Sequence, residues 1–210
     1  MGFFGDMLET IGGAMQKVQE EQEIKHTIDS MSEDELIEAA NSGAWYSMYA
    51  LNRLADEYFL QMDYQNAEFW SRKGVREHDP ECLYRLGQIA FQQQKFKEYE
   101  DWHLRNINLN SDPNSASELG FLYLNFSDNP ELPTDMEKAS DYFNFALRQN
   151  PKHPEASYGL VCWVLKMDAV DDFGMTDFKR LLENATHSSL ATIRDDAESI
   201  LQDIEKRANF

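Results

Sequence analysis

Three prolines measure out this chain. Pro80, Pro113 and Pro154 each stand six residues ahead of a leucine, Leu86, Leu119 and Leu160, and Leu54 lies 32 residues before Leu86. Four residues before these leucines is a small side chain: Ala50, Cys82, Ser115 or Ala156. Ala55, Gly87, Gly120 and Val161 follow them directly, and Tyr58, Ala90, Tyr123 and Val164 come four later. Small and apolar residues at a spacing of four mark one helix face that a second helix can approach closely. Proline at a first helical position loses nothing, because that N–H has no partner within the helix. A period of this kind predicts units that each contribute helices to a stack, since one unit cannot bury its own apolar faces.

A second helix recurs within each unit. Sixteen residues after Leu54 and Leu86 stand Trp70 and Trp102, and thirteen after them stand Ala67 and Tyr99. Counting from Leu119 fails unless seven residues are inserted within SDNPELPTD, between Phe126 and Met136. The same insertion brings Ala139 and Tyr142 into register and makes the spacing from Pro113 to Pro154 seven longer than a 34-residue repeat. The break therefore reads as a long turn inside one helix pair, crossed by residues 127–134 and capped by Thr134 or Asp135. The predicted pairs are 44–60 with 65–77, 81–93 with 95–108, 114–126 with 135–149, and 155–167 with 175–186. Ser32 with Glu35 forms a capping box for a helix over 33–41, which Gly43 ends. The expected organisation is an N-terminal amphipathic segment over 1–30, a repeat array over 31–187 and a C-terminal capping helix over 188–210. The first segment carries Phe3, Phe4, Met7 and Leu8. It reads either as a helix packed on the array or a partner, as a partly disordered arm, or as a driver of self-association.

The third unit resembles a tetratricopeptide repeat, with Leu119-Gly120, Tyr123, Ala139, Phe143, Ala146 and Pro151 at the matching places. The long turn and the DMEKASDYF phrase resemble the Sel-like branch of that superfamily. Ile37 to Gly43, IEAANSG, is similar to the end of a Sel-like unit whose first helix is missing or diverged. The likeness covers about residues 33–186 and thins in the fourth unit, where Phe178, Leu181, Leu182 and Ala185 replace the usual residues. It implies an all-α fold, an α-solenoid of about four antiparallel helix pairs with capping helices at both ends. It also implies a concave surface that binds a protein, in an adaptor, an assembly factor, a chaperone partner or an immunity protein, and no enzymatic activity.

Charge narrows the partners. Acidic residues number 38 against 19 basic ones, a net charge of −19. Such a surface repels phosphate backbones and anionic lipid, so nucleic acid and membrane surfaces suit it poorly. It suits a basic protein, such as a toxin or effector domain, although acidity also serves plain solubility. No run of about 18 apolar residues offers a membrane span. Asp6 and Glu9 interrupt the apolar start, so it does not read as a secretory signal. The expected compartment is the cytoplasm, and the expected state a monomer or weak homo-oligomer.

Catalytic patterns are missing. The sequence holds no G-x-S-x-G, P-loop or dinucleotide fingerprint, and no cofactor or metal is expected. Cys82 and Cys162 read as small core residues. His78 and His153, beside prolines, read as surface-turn histidines, and His103 either lines a groove or packs. Asp168, Asp171, Asp172 and Asp177 lack the spacing of a calcium loop and read as a solvated turn or an acidic contact. Trp70, Trp102 and Tyr142 recur and read as inter-repeat core. By helical phase, the first helices direct Tyr46, Tyr49, Arg53, Tyr84, Arg85, Gln88, Glu118 and Tyr158 toward a partner.

Overall fold

A computed structural model describes residues 19–76, 79–125 and 132–208. The stretch 1–18, His78 and residues 126–131 of the inserted turn lie outside the described residues. Residues 19–29 form α1. It is followed by α2 (Glu33–Asn41), α3 (Ser47–Leu60), α4 (Tyr64–Val75), α5 (Pro80–Gln92) and α6 (Phe96–Asn110). Then come α7 (Pro113–Leu124), α8 (Met136–Gln149), α9 (Pro154–Lys166), α10 (Val170–Phe173), α11 (Met175–Ala185) and α12 (Ala191–Ala208). The described residues contain no strand. The fold is all-α, with consecutive helices paired through short turns. Among the described residues no helix is long and apolar enough to cross a membrane.

The chain divides into two compact units, one ending at Ile89 and one beginning at Ala90. In the first, Ile28 of α1 is buried with Leu36, Ala39, Ala50, Leu51, Leu54 and Trp70. In the second, Phe143 is wholly buried among Ala116, Ala139, Ala146, Leu160, Val161 and Val164. All four substitutes in the fourth unit, Phe178, Leu181, Leu182 and Ala185, are buried there as well. Trp70 is buried, whereas Trp102 and Tyr142 are half-buried against the cluster of Ala90, Tyr99, Leu119 and Leu122.

The proline ruler has a structural partner one residue earlier. Asp79 Oδ1 accepts from Cys82 N at 2.9 Å, and Asp112 Oδ2 accepts from Ser115 N at 2.7 Å. His153 Nδ1 accepts from Ala156 N at 3.3 Å. Each side chain satisfies an N–H that the first turn of its helix leaves without a partner. The surface-turn reading of His153 is therefore corrected: the residue is 3% exposed and is the helix cap. Its Nε2 lies 3.0 Å from Asn114 Oδ1. With Nδ1 accepting, the ring is the neutral tautomer that donates from Nε2 to Asn114.

The turns between paired helices repeat one hydrogen bond. Asp63 N donates to Tyr58 O, Lys95 N to Ala90 O and Asp135 N to Tyr123 O, each at 2.9 Å, and Ala169 N donates to Val164 O at 3.0 Å. The acceptors are the four positions that follow the leucines. The donor is five residues on in three units and twelve on in the third, so seven inserted residues leave the turn closure intact. Met62, Gln94 and Asp168 occupy the same turn position with φ of 60°, 59° and 52°. Asp135 caps α8, accepting from Lys138 N at 3.1 Å.

Three details depart from the expected boundaries. Residues 44–46 form a turn, closed by Ser47 N donating to Ala44 O at 2.9 Å, so α3 begins at Ser47. The short α10 interrupts the connection from α9, and Gly174, with φ of 91°, separates it from α11. α1 occupies the place before α2 where the repeat pattern shows no first helix.

Candidate protein-binding faces

In the first unit, the two predicted cations are held by carboxylates. Arg53 on α3 donates from Nη1 to Asp29 Oδ1 at 3.0 Å and from Nε to Glu57 Oε1 at 2.7 Å. Arg85 on α5 pairs through Nη2 with Asp56, and its guanidinium stands 4.6 Å over the Phe59 ring. Its Nε is buried without a hydrogen-bond partner, as is Nε2 of Gln88 one turn on. Tyr46 and Tyr49 pack edge-on against Trp45, with centroids 6.1 and 6.4 Å away. Lys25 of α1 lies 5.1 Å over Tyr49. Tyr84 is half-buried on α5. The structure thus brings Tyr46, Tyr49 and Arg53 together beside α1, and Arg85 beside α3.

Asn52 ties the α5 cap back to α3. Its Nδ2 donates to Asp79 Oδ2 at 3.0 Å, and its Oδ1 accepts from Cys82 Sγ at 2.8 Å. Burial, reinforced by Asp79, pushes the Cys82 thiol well above its ordinary range. Burial pushes Cys162 in the second unit up to about 11. Both stay protonated thiols, which is the state of a packing residue and not of a nucleophile.

Tyrosines bind carboxylates repeatedly. Tyr58 of α3 donates to Glu33 of α2, and that bond pushes its hydroxyl up to about 12. In the second unit Tyr123 of α7 donates to Glu100 of α6, with Lys138 4.6 Å over its ring. Tyr58 and Tyr123 are equivalent in the repeat, so α2 stands to α3 as α6 stands to α7. Glu118 accepts from Tyr99 at 2.7 Å. Tyr158 is 9% exposed and donates to Asp196 of α12 at 2.8 Å. Burial first, then its anionic surroundings, raise its hydroxyl above the ordinary range. Of the predicted face, Tyr158 alone is buried.

His103, which the sequence left between groove and core, is core. It is fully buried, its ring edge-on to Tyr99 at 4.4 Å and its Nδ1 3.0 Å from Ser115 Oγ. Asn106 donates to Asp112 Oδ2 at 3.1 Å and Ser115 Oγ at 2.9 Å, completing a buried polar knot at the α6–α7 turn. Sequence reasoning overlooked this knot and the cap at His153. The signal for the cap was present, since Asp79, Asp112 and His153 all directly precede the marker prolines.

Among the described residues, no three His, Cys, Asp or Glu side chains are grouped to hold a metal ion. Asp177 is paired with Arg180 at 2.9 Å.

No protein-family model matches the chain. No curated protein matches it. Among solved structures it is similar to YrrB, described as a TPR protein with an unusual peptide-binding site. The identity is 16%, the TM-score 0.47, and the match covers 89% of this chain and 88% of that one.

Proposed function

We propose that this protein is a non-enzymatic binding module that occludes a basic protein, as an immunity protein does with its toxin. The observation that carries the reading is the fate of the cations on the first-helix face. Arg53 is matched by two carboxylates and Arg85 by one, in a chain of net charge −19. The positive charge of that face is used within the fold, which leaves the chain's excess of negative charge to meet a partner. Such a surface steers a basic partner and rejects an acidic one. Tyr46, Tyr49, Tyr84 and Gln88 of the first unit are the proposed contact residues.

The test is capture of binding proteins from the native host by the full-length chain, with mass-spectrometric identification. Retention of one small basic protein, released by raised salt, supports the reading. Retention of several unrelated proteins would make the chain a general adaptor or scaffold. Self-assembly with no captured partner, read by light scattering, would make it a structural factor.

A further inference from the structure

The first unit also contains an apolar groove that meets the face just described at Tyr46. Residues of α1, α2 and the turns after them line a cavity of about 450 Å³, with Ile24, Ile28, Met31, Ala39 and Tyr46 apolar or aromatic and Glu35 and Glu38 on α2. The volume is in the range of pockets that accept bulky apolar groups. Tyr46 joins the groove to Trp45, which is 58% exposed, so the apolar surface continues past its end. Among the described residues no basic side chain lines it. Between residues 19 and 46 there are eight acidic residues and one base, Lys25, and Lys25 is spent over the Tyr49 ring. Hydrogen bonds from the Ser32 side chain and backbone hold the Glu35 carboxyl below its usual range, so Glu35 stays ionised.

We infer that the α1–α2 groove is a docking site for a basic amphipathic helix of the partner, apolar side chains in the cavity and lysines or arginines against Glu35, Glu38 and the flanking acids. The inference rests on the protein-binding reading above and adds a place and a ligand chemistry to it. An apolar groove of this size suits an amphipathic helix, whose apolar residues at i, i+3, i+4 and i+7 form one continuous stripe. The charge complement selects the occupant. The chain's own residues 1–18 carry Asp6 and Glu9 against one base, Lys17, and lack the excess of positive charge that the acidic walls select.

The test uses the full-length chain and a synthetic amphipathic helix with a leucine stripe flanked by lysines, followed by fluorescence anisotropy. The probe should bind saturably. Thr27→Trp, which fills the groove without changing charge, should weaken it about tenfold or more, and Glu38→Lys by several fold. Thr27 and Glu38 are both exposed, and circular dichroism checks that each variant folds. Three results would overturn the inference: unchanged affinity in Thr27→Trp, equal affinity for a scrambled peptide of the same charge, or tighter binding by a Phe4→Asp, Leu8→Asp chain. The last would show the N-terminal stretch competing for the groove. Failure of the peptide with continued capture of a basic protein rejects the groove alone, whereas failure of both also rejects the proposed function.

Discussion

Phe143 owes its complete burial to two glycines. A Cβ on Gly120 of α7 would come within 2.5 Å of its ring, and one on Gly159 of α9 would also collide with it. Three helices therefore meet at one aromatic side chain because two of them lack a side chain at the contact. Gly159→Ala should destabilise the protein by about 1–3 kcal/mol, the cost of overpacking, despite alanine's better helix propensity. Chemical denaturation should show a lower midpoint with an unchanged slope; an unchanged midpoint would mean the ring has room to move. His153 offers a second test. Removing the cap in His153→Ala should cost about 1 kcal/mol. Burial holds its imidazole below the ordinary value of 6.5, against the opposing pull of Glu155 and Asp112. Burial takes His103 down to about 3. Because both rings are neutral when folded and bind protons more readily unfolded, their contribution is complete above 6.5 and is lost as pH falls below it. Unfolding free energy should therefore drop from pH 7 to pH 5, and drop less in His153→Asp, whose carboxylate supplies the cap at both values.

At the level of the element, the repeated turn bond explains how one pair absorbs a long insertion. Asp135 N reaches Tyr123 O at the same 2.9 Å as Asp63 N reaches Tyr58 O. Excising seven residues between Phe126 and Thr134 should leave the helix pair closed, with a melting temperature shifted by only a few degrees. A collapse of stability would show that the turn supports the core. The helices themselves were legible because Leu54, Leu86, Leu119 and Leu160 keep phase over four units and every one of them is buried. α10 was not, since four residues carry no helical period. The place of α1 was hidden too, because Ile24 and Ile28 belong to no repeat and their partners on α2 lie beyond a turn. Helical phase nominates a candidate face but does not give its chemistry. Helical spacing put Tyr158 and Gln88 on it alike, and only packing shows that Tyr158 is tied to Asp196.

For the whole molecule, charge is the property that most separates one kind of partner from another. A net charge of −19 acts beyond contact distance, so it should govern encounter more than residence. Apolar docking would show instead in the dissociation rate. The decisive measurement is the association rate constant of the full-length chain with its captured partner as ionic strength is raised from about 50 to about 500 mM, where screening shortens the reach of charge to a few ångström. The expected result is a fall of about tenfold or more with a much smaller change in dissociation. An association rate that ignores salt, or a partner that is itself acidic, would contradict it.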